Sequence, residues 1–157
     1  MTRIAVFSDL HSAPPREIEE AFSRFDYVAF LGDGLHKLRS FEYRYSEQFL
    51  FVRGNCDIYD EDAPLKLILD FEGVKVMLTH GHIERVKNGL IPLAVEAHIK
   101  KVQVVLFGHT HRPEIDERDG ILFVNPGTLA SFYDREGTYA VLTIDNGKYF
   151  AEIVKND

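Results

Sequence analysis

The residue types in this chain that could do chemistry stand in five short groups: Asp9-Leu10-His11, Gly32-Asp33-Gly34, Gly54-Asn55-Cys56-Asp57, His80-Gly81-His82 and Gly108-His109-Thr110-His111. Carboxylate, imidazole and carboxamide groups hold divalent metals, and this mixture of nitrogen and oxygen suits Mn, Fe, Zn or Ni better than Mg or Ca without selecting one. A single Asp-Gly pair is more often a turn than a ligand. Repetition changes that reading, because each group ends an apolar run: Ile4–Phe7, Tyr27–Leu31, Phe49–Val52, Val74–Leu78 and Val104–Phe107. Strand ends of open α/β sheets are where such folds place their chemistry, and the glycines around Asp33 let the backbone turn sharply and approach an ion or phosphate closely. In Asp9-x-His11 the alternation of an extended chain puts both side chains on one side, within reach of one ion.

The elements that must position these groups follow from the hydrophobic period. After the first strand, Pro14-Pro15 opens a stretch with Ile18, Ala21, Phe22 and Phe25 at helical spacing. Leu35 to Tyr45 has a weaker helical period, so residues 3 to 53 read β-α-β-α-β, the pattern of parallel pairing. The pattern then changes. Leu65–Phe71 and Val74–Leu78, joined only by Glu72-Gly73, predict an antiparallel hairpin. Asn88 is placed to cap a helix with Leu90, Leu93, Ala94 and Ala97 on one face and Lys100 and Lys101 in its last turn. Strands are predicted at Val104–Phe107, Ile121–Val124, Thr138–Ile144 and Lys148–Val154, the last two around Asp145-Asn146-Gly147. Loops are expected over 83–89, 112–120 and 130–137. This order fits two sheets face to face with helices outside, or one mixed sheet.

At 157 residues and 45% hydrophobic content, one compact domain over 1–157 is expected, with no second domain. A formal charge of −7 argues against broad affinity for nucleic acid or anionic membranes, which need clustered Lys and Arg. Cys56 is the only cysteine, so an internal disulfide is excluded and a reducing compartment is the natural expectation. The apolar run after Met1-Thr2-Arg3 is far shorter than a signal-peptide core or membrane span, which predicts a soluble, cytoplasmic protein.

Taken in order, the five groups resemble the calcineurin-like metallophosphoesterase family, from Asp9 to Gly127. The length and the Gly54-Asn55-Cys56-Asp57 variant are most similar to its small single-domain bacterial and archaeal phosphodiesterases. The resemblance decides for the sandwich: an α/β fold of two mixed β-sheets packed face to face and flanked by helices, four layers in the order αββα. It also implies two divalent ions, with Asp33 bridging them, Asp9, His11 and His111 completing one, and Asn55, His80 and His109 completing the other. Manganese is the expected metal, with Ni, Fe or Zn as alternatives. Two such ions lie about 3.5–4 Å apart, lower the pKa of a bridging water and so provide hydroxide for in-line attack on phosphorus. No protein nucleophile is needed.

Many members of the family carry histidine where Cys56 stands, to protonate the leaving oxygen. A thiol is a poorer acid for that task, and losing such a group typically costs about 10²–10⁴ in rate. Phosphodiesters or activated esters are therefore expected ahead of alkyl monoesters. His82 is a candidate to protonate the leaving group or hold the phosphate, or else a loop histidine; Cys56 is a candidate acid or a small packing residue; Asp57 orients its neighbours or turns the chain. Arg85 and Arg112 flank the motifs and are candidates to meet substrate phosphate. Asn125-Pro126-Gly127 reads as a structural turn at the pocket rim. His36 and His98 receive no role, and Phe132 and Tyr133 are assigned to packing, a pocket or a dimer contact. The competing class is a non-catalytic, protein-binding scaffold of the same fold, as in a eukaryotic trafficking-coat subunit whose metal site has decayed; a phosphomonoesterase is the other alternative. A nuclease would want a basic groove, which the acidic balance disfavours. The expected partner is a small phosphate ester, and a homodimer is a further expectation.

Overall fold

The computed structural model describes residues 1–131 and 136–156; Phe132 and Tyr133 lie outside the described residues. In chain order the elements are β1 (Thr2–Phe7), α1 (Arg16–Ala21), β2 (Tyr27–Phe30), α2 (Phe41–Arg44) and β3 (Phe49–Phe51). Then come β4 (Lys66–Phe71), β5 (Val74–Thr79), α3 (Ile91–Ile99) and β6 (Val104–Leu106). Two hairpins close the chain, β7 (Pro113–Arg118) with β8 (Ile121–Pro126) and β9 (Gly137–Asp145) with β10 (Lys148–Asn156). They form two mixed five-stranded sheets, ordered β10-β9-β1-β2-β3 and β4-β5-β6-β8-β7.

Period-two alternation builds the layers. In β1, Ile4 and Val6 enter the core between the sheets with Val76, Leu78, Val104 and Leu106, while Ala5 and Phe7 face Ile18, Phe22 and Phe41 on the helical side. In β6, Val105 points the other way, against Leu93 and Ala97 of α3. Strands buried on both faces read as unbroken apolar runs, which is why the central strands were legible. The result is helix, sheet, sheet, helix.

Three local expectations are corrected. Leu35 to Tyr45 is not one helix but a 3-10 turn (Leu35–Lys37) followed by the single turn of α2. Leu35, Leu38 and Phe41 are buried at intervals of three, the period of a 3-10 path. Asn88 does not cap α3: it ends a 3-10 turn, Gly89 follows at φ 115°, and the helix starts after Leu90 with Pro92 in its first turn, where a missing N–H costs nothing. Lys100 caps the helix, and Lys101 turns left-handed at φ 56°. The segment 112–120 is not a loop but β7 and its turn. It is an edge strand with charge on both faces, so it shows no hydrophobic alternation. Among the described residues no helix is long and apolar enough to cross a membrane.

Candidate metal centre

β1, β2 and β3 run parallel in one sheet and β5 and β6 in the other, and the five motif groups follow their carboxyl ends. Six of the expected ligands converge there as two groups, Asp9 with His11 and His111, and Asp33 with His80 and His109. In the first, Asp9 Oδ1 lies 3.3 Å from His111 Nε2 and 3.8 Å from His11 Nε2, and the two histidine Nε2 atoms are 3.0 Å apart. In the second, His80 Nε2 lies 3.3 Å from Asp33 Oδ2 and 3.2 Å from His109 Nδ1. The groups share a border, because Asp9 Oδ1 is also 3.8 Å from His80 Nε2.

The polar partners of these side chains show which atoms remain available. Asp9 Oδ2 accepts from the Ser8 hydroxyl at 2.6 Å and the His109 N–H at 3.0 Å, whereas Oδ1 is buried with no hydrogen-bond partner. Leaving a buried carboxylate oxygen unpaired is costly unless a cation meets it. His80 Nδ1 lies 2.8 Å from the Leu31 carbonyl, which can only accept, so Nδ1 carries the proton and the Nε2 lone pair faces the site. Asp33 Oδ1 accepts the Cys56 N–H at 2.8 Å. One carboxylate oxygen with no hydrogen bond, one imidazole of fixed tautomer and facing pairs of ring nitrogens suit divalent ions of the imidazole-binding kind.

Asp57 explains how the Asp33 turn is held. Its buried carboxylate accepts the N–H groups of Asp33 (2.7 Å), Gly34 (2.9 Å), Leu35 (3.0 Å) and Gly54 (2.7 Å). Close approach demands glycine here: a Cβ on Gly54 would sit 2.2 Å from Asp33 Oδ1, and one on Gly108 2.0 Å from Ser8 Oγ. Asn125 fixes the other histidine turn, donating to the Gly108 carbonyl (3.2 Å) and Thr110 Oγ1 (2.9 Å) while accepting from Gly127 N–H. Ser8, Asn125 and the Leu31 carbonyl thus position ligands. Of these, only Asn125 carried a sequence signal, in the Asn-Pro-Gly turn.

Burial pushes the Asp9 and Asp33 carboxyls up, but the facing histidines outweigh it, and both lie below the usual range. His80 is driven down by burial yet raised overall by hydrogen bonding to Asp33 and by the Asp9 and Asp33 charges. Its neighbour His109 is lowered to about 4 by burial, then by the His80 and Lys87 charges.

The remaining candidates stand around this centre. Asn55 is exposed, and its amide nitrogen lies 3.5 Å from Cys56 Sγ. The exposed Cys56 thiol is pushed up by burial and then by Asp33. The His82 ring is 5.4 Å from that of His80; its Nδ1 is buried without a hydrogen-bond partner, and burial followed by the His80 charge lowers its pKa. Arg85, Arg112, His36 and His98 are exposed.

Residues 2–147 match the model of the calcineurin-like phosphoesterase superfamily domain. The chain belongs to this superfamily. Among curated relatives, a probable metallophosphoesterase of Bacillus subtilis is 33% identical over 101 residues, which is 64% of this chain and 59% of that protein's length. A phosphodiesterase of Methanocaldococcus jannaschii is 27% identical over 94% of this chain and 96% of its own. Among solved structures, a predicted phosphoesterase of Streptococcus pneumoniae superposes with a TM-score of 0.82 at 26% identity, covering 98% of this chain and 89% of that one. A zinc complex of Vps29 from Entamoeba histolytica gives 0.71 at 20% identity over 98% of each chain, a likeness of fold.

Proposed function

We propose that this phosphoesterase is a dinuclear-metal phosphodiesterase. The observation that carries the reading is the convergence of two carboxylate–imidazole groups around the buried, unpaired Asp9 Oδ1. In this reading Asp9, His11 and His111 hold one ion, and His80, His109 and the Asn55 carbonyl hold the other, with Asp33 shared between them. Two such ions, when bound, supply positive charge to the phosphoryl oxygens and an activated water as nucleophile. The protein's own part is orientation. Asp57, Asn125 and the Leu31 carbonyl fix the ligand turns before substrate arrives, as electrostatic catalysis of phosphoryl transfer requires.

Proton supply to the leaving group sets the substrate preference. Cys56 stands where the resemblance places an acid, and a thiol is a poorer acid than an imidazolium for protonating an alkoxide near neutral pH. Diesters with good leaving groups are favoured, and His82 acts on the substrate by holding a phosphate oxygen. The test is to strip the protein of metal, reload it with manganese, and compare bis(4-nitrophenyl) phosphate with 4-nitrophenyl phosphate, using Asp33→Asn as control. Metal-dependent turnover that favours the diester and is lost in the variant supports the proposal. Preference for the monoester would keep the metals and overturn the leaving-group argument. Absence of turnover with manganese, nickel, iron and zinc would favour the scaffold reading.

A further inference from the structure

A pocket of about 540 Å³ opens beside the candidate metal centre, and three of its lining residues are basic: Lys87, Arg112 and Arg118. Two of its lining residues join it to the turns that carry candidate ligands. Thr110 stands between His109 and His111, and its hydroxyl accepts from Asn125 at 2.9 Å and from the Arg112 N–H at 3.2 Å. Val86 packs over the His80–His82 turn, where a Cβ on Gly81 would meet its methyl at 2.8 Å.

In a chain of net charge −7 such a cluster is not the general character of the surface. Arg118 is paired with Asp116 at 2.6 Å, but Lys87 and Arg112 are absent from the ion pairs among the described residues. The one carboxylate lining the pocket, Glu114, does not balance all three cations. A guanidinium fork beside a mobile ammonium matches the several oxygens of a phosphate.

Resting on the phosphodiesterase reading, we propose that this pocket receives a second phosphate of the substrate, so that the preferred substrate is a phosphodiester bearing a further phosphate group. The scissile phosphate lies at the metal centre, and the second lies against Lys87 and Arg112.

Two substrates that differ only in that group test this: thymidine 5′-(4-nitrophenyl phosphate) and its 3′-phosphate. With manganese-loaded protein at low salt, the 3′-phosphate is expected to lower KM about tenfold or more, as hydrogen bonds to a charged group do. The advantage shrinks as salt rises. Replacing both cations (Lys87→Gln, Arg112→Gln) brings the two KM values together, whereas the same charge change at Arg16→Gln and Lys148→Gln keeps them apart. Calorimetric titration with thymidine 3′,5′-bisphosphate and thymidine 5′-monophosphate reads the same preference without turnover. Equal KM values and equal affinities in the wild type would overturn the pocket while leaving the phosphodiesterase standing. No turnover, with a bisphosphate preference that the Lys87/Arg112 double variant loses, would overturn the hydrolase and keep the anion site.

Discussion

At the hairpin end of the two sheets, Glu72, Asp119 and Asn146 turn the chain with φ of 53°, 50° and 52°, and each is followed by a left-handed glycine with nothing within 4 Å of its missing Cβ. At the opposite end, Asp9, His11, Asp33, His109 and His111 have φ of 55°, 48°, 67°, 73° and 63°. The backbone demand is the same at both ends, but the residues differ. The hairpins pair each left-handed residue with glycine and leave the turn in open space. The opposite end puts side chains that could hold a metal on left-handed positions, at a conformational cost of order 1–3 kcal/mol for each strained residue. Its glycines serve another purpose: at Gly54 and Gly108 they let the backbone touch Asp33 and Ser8. Asp57 holds the Asp33 turn, Ser8 donates to Asp9, and Asn125 fixes the turn around His109, so these candidate ligands are held against their local preference.

The sharpest way to break this comparison is Asp33→Asn. Asparagine tolerates the left-handed turn, so the fold persists, but the carboxylate charge is gone. Turnover should fall by at least about 10²–10³, the loss typical of one preorganised electrostatic group. In chelator the variant should melt somewhat below wild type, because the ionised carboxylate is stabilised by His80 and the Cys56 N–H, and its rise on adding manganese should be smaller. A full metal response with full activity would remove Asp33 from the centre.

Next in size, Asp57→Asn replaces one acceptor oxygen of a carboxylate that takes four N–H groups by an NH₂ facing them. Metal affinity should fall about 10–100-fold, as when a ligand's support is removed. At the hairpin end, Asp70 accepts a single N–H, from Gly73 at 2.8 Å, and Asp70→Asn should cost only about 0.5–1.5 kcal/mol with no effect on metal binding. Isothermal titration with manganese separates the two. Equal metal affinity in both variants would show that the Asp33 turn holds itself.

The same contrast explains what could be read in advance. The convergence of Asp9, His11, Asp33, His80, His109 and His111 was legible because residues of these types stand together at strand ends, and apolar runs mark those ends. The left-handed backbone at Asp9, His11 and His111 was not legible, since no glycine adjoins them. Nor were Ser8 and the Leu31 carbonyl, whose work is a hydrogen bond that many residue types could make. The hairpins at Glu72-Gly73 and Asn146-Gly147 were visible from their glycines. Asp119-Gly120 carries the same signal, yet β7 escaped notice because Glu114, Asp116, Glu117 and Arg118 hide any alternation on this edge strand. Residues 35–45 and the start of α3 failed for a related reason: tertiary burial of Leu35, Leu38 and Leu90 outweighs weak helical propensity.

The smallest effects give the finest test, because they read the backbone cost alone at each end. In His11→Gly the left-handed position becomes free of a side-chain penalty, and His11 is 31% exposed, so no core cavity opens. In chelator this variant should melt about 2–4 °C above wild type, the shift that about 1 kcal/mol produces in a domain of this size, while losing metal-dependent turnover. Gly120→Ala is the mirror: at φ 78° the added Cβ meets nothing within 4 Å, so the penalty is purely conformational. It should melt lower by a similar 2–4 °C or less, with turnover untouched. Opposite signs at the two ends would show that the ligands occupy strained backbone. A lower midpoint for His11→Gly would mean that the metal end is relaxed without its ions, and that Asp57, Ser8 and Asn125 shape the turns without working against them.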